Sequence, residues 1–225
     1  MNRGGQVDQR LLDNIAGIYV VTDGNLRRDR SHVDIVACAL DGGATVIQLR
    51  AKNVDDRDLL VIAKAIRKLT ARAGATFIVN DHVEVALSSE ADGAHIGASD
   101  VAAADARALL GAGRILGISV ATLSEAREAS AYATYFGVGT VFSTSTKADA
   151  GAPIGLTRLA EIRAAYPRIP IVAIGGIGRH NLGRVRETGV EAAAVVSAIV
   201  CADDMTSATR ELMAQWNGHP ALMAG

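Results

Sequence analysis

The feature that most restricts the fold of this sequence is a repeated alternation of short apolar runs and helical patterns. Eight apolar runs have the length of a strand, and each is followed by residues whose apolar positions recur with helical spacing. The predicted strands span residues 17–23, 45–49, 76–79, 93–97, 115–120, 135–142, 171–174 and 192–199. This alternation favours parallel pairing, because each helix returns the chain to the same end of the sheet.

Two parallel architectures fit this pattern, a closed barrel and an open doubly wound sheet, and both bind ligands at the carboxyl ends of the strands. We predict an α/β protein with a single (β/α)8 TIM barrel, eight parallel strands and outer helices. The strand number favours the barrel, and no GxGxxG motif follows the first strand. The predicted catalytic barrel domain spans residues 15–215, between a flexible N-terminal segment, 1–14, and a C-terminal tail, 216–225.

Composition limits the class of protein. The formal charge of −1 provides no general basic field, so we expect no nucleic-acid partner. No apolar run approaches the roughly 20 residues that span a bilayer, and residues 1–10 lack an apolar signal core, so we expect no membrane partner. The isolated Cys38 and Cys201 indicate a reduced compartment. A cytoplasmic protein is therefore expected; its oligomeric state stays open, with a homodimer among the options.

Polar and charged residues follow the predicted strand ends, which meet at one rim if the strands form a barrel. They are Gln48, Arg50 and Lys52 after the second strand, Asn80 and Asp81 after the third, Asp100 after the fourth, Ser119 in the fifth, Thr144, Thr146 and Lys147 after the sixth, Gly176 after the seventh and Ser197 in the eighth. In a barrel of this kind, that rim carries the active site.

The charged members of this set have the chemistry of a diphosphate site. Asp81 and Asp100 can hold Mg²⁺, a hard cation that accepts one or two carboxylates together with phosphate oxygens. Arg50, Lys52 and Lys147 can neutralise a polyphosphate, and the arginine can do so with two parallel hydrogen bonds. We therefore predict that the protein binds a diphosphate-bearing substrate and uses Mg²⁺ as its cofactor.

A second phosphate site is predicted at the last two strands. The pair Gly175 and Gly176 lets the backbone approach a ligand closely, and Ser197 follows in the next strand. This is the part of a barrel that commonly binds phosphate. The predicted partners are thus two phosphorylated small molecules, joined in a reaction that releases pyrophosphate.

The motifs QLRAK, IVND, GISVAT, FSTSTK, AIGGI and AVVSAI, with Asp100 between the second and third, occur in this order. The ordered set, over residues 18–199, resembles the thiamine-phosphate synthase family. The resemblance implies a (β/α)8 barrel and a transferase of thiamine biosynthesis. Such an enzyme joins 4-amino-2-methyl-5-(diphosphooxymethyl)pyrimidine to 4-methyl-5-(2-phosphooxyethyl)thiazole, giving thiamine phosphate and pyrophosphate by a dissociative, Mg²⁺-assisted mechanism.

The resemblance also assigns roles to residues. The pyrimidine diphosphate would contact Gln48, Leu49, Arg50, Ala51, Lys52, Asn80, Ser119 and Lys147. Of these, the catalytic residues would be Arg50, Lys52, Ser119 and Lys147. The metal ligands would be Asp81 and Asp100, and the thiazole phosphate would contact Thr144, Ser145, Thr146, Gly176, Val196 and Ser197.

Four positions depart from the family pattern. Ala51 replaces a glutamate, Ala98 a glutamine, Ala121 a histidine and Ser143 a proline. None of these changes removes a predicted ligand of the metal or of pyrophosphate. The reaction class is therefore expected to be retained, while the finer contacts with the pyrimidine are expected to differ.

Other interpretations stay open at this point. A thiazole tautomerase-like isomerase shares the barrel, but it carries a catalytic histidine where this chain has Ser119. A non-catalytic barrel that binds a phosphorylated metabolite has no need of both a carboxylate pair and three cations. Taken singly, Asp81 fits an N-cap of the next helix, and His95 fits packing in the barrel wall.

Overall fold

The computed structural model describes residue 13, residues 15–144, residue 146 and residues 151–218. The predicted segment 1–14 (apart from residue 13), the predicted site residues Ser145 and Lys147, and the predicted tail from residue 219 onward lie outside these residues. The described strands form one closed barrel in the order β1 to β8, with parallel pairing throughout and β8 paired with β1. The predicted fold class is confirmed.

The strands are short and fully or largely buried. They are β1 (Gly17–Val21), β2 (Val46–Leu49), β3 (Thr76–Asn80), β4 (Gly93–Ile96), β5 (Ile115–Val120), β6 (Tyr135–Val138), β7 (Ile171–Ile174) and β8 (Ala192–Val195). The helices around them are α1 (His32–Asp41), α2 (Asp56–Ala73), α3 (Val83–Ser88), α4 (Ala103–Leu110), α5 (Leu123–Ala129), α6 (Gly155–Ala165), α7 (Leu182–Arg186), α8 (Ser197–Val200) and α9 (Met205–Trp216). Among the described helices, none has the length and apolarity that crossing a membrane requires.

Four of the predicted strands extend too far at their carboxyl ends, and the sixth and eighth have the largest overruns, four residues each. β6 ends at Val138, because the chain then crosses the end of β7: a Cβ at Gly139 would lie 2.2 Å from the Ile174 carbonyl oxygen. β8 ends at Val195, and Ser197 begins the short helix α8. Both changes place loop or helix-end backbone at the rim, where strand was predicted.

The start of α5 is fixed by a capping box. The N-cap is Thr122, and its partner in the box is Glu125. The Thr122 side chain accepts a hydrogen bond from the Glu125 N–H, and Oε2 of Glu125 accepts from the Thr122 and Ala121 N–H groups at 3.1 and 2.6 Å. This box fixes the loop after β5, which borders the site.

The apolar residues form an inner and an outer core. Along β1, Ile18 and Val20 pack against the helices, whereas Tyr19 and Val21 belong to the cluster inside the barrel. This division follows from the alternation of side chains along a strand. The alanines of β8, Ala192 and Ala194, belong to the same inner cluster as Tyr19 and provide little bulk there. The inner core therefore has room for aromatic side chains below the rim.

Candidate active site

A cavity of about 560 Å³ is lined by residues from the carboxyl-terminal parts of the strands and the loops that follow them. Many residues predicted from the sequence line it. They are Gln48, Arg50, Lys52, Asn80, Asp81, Asp100, Ser119, Thr144, Thr146, Gly176, Val196 and Ser197. The barrel thus brings into one cavity residues that lie up to 149 positions apart in the sequence, from 48 to 197.

Among the described residues, two predicted pyrimidine-diphosphate contacts do not line the cavity. The Leu49 side chain is 1% exposed and packs in the outer core, because it alternates with Gln48 and Arg50 across the strand. Ala51 also packs against the outer core. Of the positions that depart from the family pattern, Ala98 and Ala121 line the cavity.

Arg50 is held in place by the end of β1. Its Nη1 donates to Oδ2 of Asp23 at 2.6 Å, and the two side chains are only 12% and 6% exposed. Its backbone N–H donates to Oγ1 of Thr22 at 3.1 Å. Its Nη2 is buried and has no hydrogen-bond partner among the described residues. One arm of the guanidinium is thus fixed by a carboxylate, while the other retains donors for an anion.

Asp81 and Asp100 form a pair of carboxyl groups in hydrogen-bonding contact. The pKa of Asp81 is raised from its ordinary 3.8 to about 6, mainly by burial and further by the hydrogen bond and the charge of Asp100. Electrostatic interactions with His82 and Arg50 oppose this rise in the pKa of Asp81. Two carboxylates that repel each other in a partly buried site have the chemistry of a cation site.

The backbone and the neighbouring loop fix this pair. Asp81 has a φ of +64° and donates its backbone N–H to the His95 carbonyl oxygen at 2.8 Å. The N-cap of α3 is His82, which forms no side-chain capping bond. Asp81 is therefore not the N-cap, the alternative role that its sequence position allowed. Oδ2 of Asp100 accepts from the Gly97 N–H at 2.7 Å.

The donor set fits Mg²⁺ better than a metal that prefers nitrogen or sulfur ligands. Both candidate ligands are carboxylates, and no group of three or more His, Cys, Asp and Glu residues suited to a metal occurs in the described part of the chain. Mg²⁺ commonly takes only one or two carboxylates and completes its shell with water and substrate phosphate.

The opposite side of the cavity is built by the loop after β7. Gly175 and Gly176 have φ values of +105° and +62°, and a Cβ at Gly176 would lie 2.5 Å from the Ser143 carbonyl oxygen. Asn181, 5% exposed, holds the loop: Nδ2 donates to the Gly176 carbonyl at 2.8 Å, and Oδ1 accepts from the Gly178 N–H at 2.9 Å. Glycine is therefore required for the backbone to run here.

Sequence reasoning missed several residues that shape the cavity. Asp23 lies at the end of the first predicted strand. An acidic residue at the rim of a barrel could have indicated a role at the site. Tyr19 and Tyr135 line the cavity from inside the barrel. Their strands are apolar on both faces, so the sequence does not indicate which side chains point into the barrel. His95, 9% exposed, packs in the barrel wall as predicted and also hydrogen-bonds to Ser119.

The closed barrel, with its polar cavity at the carboxyl ends of the strands, defines the class of (β/α)8-barrel enzymes. Comparison with known proteins gives the family. The family model for thiamine monophosphate synthase matches residues 18–199, and the chain belongs to that family. The resemblance found in the motifs is confirmed. By this membership the chain is a transferase of thiamine biosynthesis, with thiamine-phosphate synthase as the supported activity.

Several relatives share most of their length with this chain. The thiamine-phosphate synthase of Chloroflexus aurantiacus is 50% identical over 198 residues, which is 88% of this chain and 91% of the relative. That of Moorella thermoacetica is 50% identical over 196 residues, 87% of this chain and 93% of the relative. The solved structure of thiamine phosphate pyrophosphorylase from Pyrococcus furiosus is 41% identical with a TM-score of 0.84, covering 92% of this chain and 98% of that one.

Proposed function

We propose that this enzyme joins 4-amino-2-methyl-5-(diphosphooxymethyl)pyrimidine to 4-methyl-5-(2-phosphooxyethyl)thiazole, and that it requires Mg²⁺. The observation that carries the proposal is the convergence of the cationic Arg50 and Lys52 with the Asp81–Asp100 pair in one cavity. Cationic side chains that line a cavity favour an anion, and the carboxylates beside them favour a cation. A diphosphate with its metal satisfies both.

The other side of the cavity supports the second substrate. Gly176, Val196 and Ser197 lie at the ends of β7 and β8, with Thr144 and Thr146 nearby in the lining. Backbone groups and hydroxyls can bind a monophosphate without a full cationic charge. We assign Ser145 to the same subsite and Lys147 to pyrophosphate, on the resemblance to the family alone.

In the proposed reaction, the bond between the pyrimidine methylene carbon and the diphosphate oxygen breaks, and the oxygen keeps the electron pair. The thiazole nitrogen then donates its lone pair to the methylene carbon, forming the new C–N bond. Arg50, Lys52 and Lys147 stabilise the negative charge that grows on the leaving group. When bound at Asp81 and Asp100, Mg²⁺ would neutralise part of the same charge.

Such a reaction needs positioning more than a strong base. Gln48, Asn80 and Ser119 would orient the pyrimidine, while the loop around Gly176 would present the thiazole by its phosphate. Holding both substrates in one cavity turns a bimolecular step into an effectively intramolecular one.

The test is turnover with both substrates and Mg²⁺, monitored by pyrophosphate release and by thiamine phosphate formation. We expect both products in equal amounts, and none when either substrate is omitted. Addition of EDTA should abolish turnover, and Mg²⁺ should restore it. Equal rates with and without EDTA would refute the metal requirement. Pyrophosphate at the background level would refute the synthase reaction, and isomerisation of a thiazole carboxylate phosphate would instead support the tautomerase.

A further inference from the structure

A chain of hydrogen bonds crosses the inside of the barrel beneath the cavity. Nε2 of Gln48 donates to the Tyr19 hydroxyl at 3.0 Å, and the hydroxyls of Tyr19 and Tyr135 are 2.8 Å apart. The Tyr135 hydroxyl lies 2.9 Å from Nδ1 of His95, and Nε2 of His95 lies 2.9 Å from Oγ of Ser119. The two ends, Gln48 and Ser119, are proposed pyrimidine contacts, whereas the three residues between them have no role in the proposal so far.

Two glycines make room for this network. His95, Gly117 and Tyr135 are register partners on β4, β5 and β6. A Cβ at Gly117 would lie 2.2 Å from Cζ of Tyr135 and 2.4 Å from Nδ1 of His95. A Cβ at Gly137 would lie 2.7 Å from Cε1 of His95. Larger residues at either glycine are therefore incompatible with the two rings in these positions.

The number of protons and the orientation of the Gln48 amide, with Nε2 toward the Tyr19 hydroxyl, fix the direction of the hydrogen bonds. Burial raises the pKa of both Tyr19 and Tyr135, so each phenol stays protonated and has one proton to donate. Tyr19 accepts from Gln48, so its own proton goes to Tyr135, and the Tyr135 proton goes to Nδ1 of His95. The imidazole proton must then be on Nε2, where it is donated to Ser119.

With the Gln48 amide in this orientation, the opposite direction leaves a donor unsatisfied within the network. If Ser119 donated to His95, then His95 would donate to Tyr135, and Tyr135 to Tyr19. The Tyr19 oxygen would receive both of these hydrogen bonds from Gln48 and Tyr135, and its own proton would lack an acceptor among them. Because Tyr19 is 1% exposed, water is not available to accept it. An unsatisfied buried donor costs on the order of 1–3 kcal/mol.

We propose that His95 is a positioning residue, held as the Nε2–H tautomer by the two tyrosines, which makes Ser119 a hydrogen-bond donor toward the pyrimidine diphosphate. Oγ of Ser119 accepts from His95, so its own proton can be donated to an acceptor atom of a ligand bound in the cavity. The identity of that ligand rests on the proposed function, whereas the tautomer and the direction of the network do not.

The tautomer can be measured by ¹⁵N NMR of the imidazole nitrogens in the uniformly labelled, ligand-free enzyme at about pH 8, above the ordinary histidine pKa. The His95 resonances are assigned by their absence from His95→Gln. We expect an acceptor-type resonance for Nδ1 and an N–H resonance for Nε2. An Nδ1–H tautomer, or a ring protonated on both nitrogens, would overturn the proposal. This measurement needs no turnover, so it gives its answer even if the proposed reaction fails.

Kinetics test the consequence for binding. In Tyr135→Phe the donor to Nδ1 is lost, and we expect KM for the pyrimidine diphosphate to rise about 5- to 10-fold, the usual worth of one hydrogen bond. KM for the thiazole phosphate should change less than about twofold, because its subsite is on the other side of the cavity. The matched control is Tyr132→Phe, since Tyr132 is 37% exposed and does not line the cavity. Equal rises in both KM values would contradict the proposed role.

Two replacements at His95 separate hydrogen bonding from packing. Glutamine has a carbonyl that can accept from Tyr135 and an amide that can donate to Ser119, whereas leucine has neither. We expect His95→Gln to keep most of the affinity for the pyrimidine diphosphate and His95→Leu to lose it. Equal loss in both variants, with both folded by circular dichroism, would show that His95 acts only by filling space.

Discussion

Replacement of Asp81 by asparagine should make the metal-free enzyme more stable while it removes activity. In the folded protein the pKa of Asp81 is raised from 3.8 to about 6, so the folded state binds more protons than the unfolded state between these values. Folding stability therefore falls as the pH rises through this interval, and the loss is complete above the folded-state pKa. An asparagine side chain at this position carries no charge, so the variant lacks this loss.

The structure sets the size of the effect. The difference between a pKa of 3.8 and one of about 6 has an upper bound of about 3 kcal/mol in free energy of unfolding. Because the Asp81 side chain is partly exposed, water screens the repulsion, and about 1 kcal/mol is a realistic expectation at neutral pH. The backbone adds no penalty, since asparagine adopts the φ of +64° at least as readily as aspartate.

The assay is urea denaturation in EDTA at about pH 7.5 and about pH 4.5 for the parent, for Asp81→Asn and for Asp105→Asn. Asp105 is exposed in the first turn of α4, so its replacement should change stability by no more than a few tenths of a kcal/mol. Asp81→Asn should be stabilised at the higher pH and less so at the lower one. An equal or lower stability than the parent at the higher pH would show that burial and the neighbouring Asp100 do not destabilise the Asp81 carboxylate.

Asp23→Ala should lower the free energy of unfolding by about 3 kcal/mol and raise KM for the pyrimidine diphosphate, because it leaves the buried Arg50 without its carboxylate. Urea denaturation and kinetics that match the parent would contradict a stabilising role of the Asp23–Arg50 ion pair. Gly176→Ala should cost more than the roughly 1–2 kcal/mol of its φ of +62°, because the added Cβ would also clash with the Ser143 carbonyl, and it should raise KM for the thiazole phosphate. Gly183→Ala, in open space on a helix, should do neither, and equal effects of the two replacements on unfolding and on KM would contradict the turn. Lys147→Ala should lower kcat more than either KM in steady-state assays, because its charge is needed as pyrophosphate departs; a change confined to KM for the thiazole phosphate would contradict that role.

The fold could be predicted because its main signal is local. Each strand is an apolar run and each helix has an apolar stripe, and their alternation alone leaves few topologies. The rim residues followed from the same logic, since the carboxyl ends of parallel strands meet at one end of a barrel. For this reason Gln48, Arg50, Asp81 and Ser119 could be assigned to one cavity before their distances were known.

The remaining features depend on contacts between residues far apart in the sequence. The partnership of Asp23 and Arg50 follows from the register of β1 and β2, in which Val21 is paired with Gln48. A sequence of buried strands does not reveal this register, because both faces are apolar and no alternation marks the inside. For the same reason the sequence did not predict that the Tyr19 side chain points into the barrel, because that orientation is set only when the barrel closes.

Two residues of the site, which lie close together, have unfavourable features in the absence of ligands. Each of them carries a charge opposite to that of one proposed ligand. Asp81 has a left-handed backbone and a raised pKa, and Arg50 has a buried donor without a described partner. Arg50 also lowers the pKa of Asp81, so the cation and the carboxylate pair are near enough to interact. A diphosphate at Arg50 would be repelled by Asp81 and Asp100 unless a divalent cation lay between them, and such a cation would be held weakly without the added anion. If the proposed diphosphate and Mg²⁺ bind here, we expect each to strengthen binding of the other to the same extent, because coupling between two sites is reciprocal.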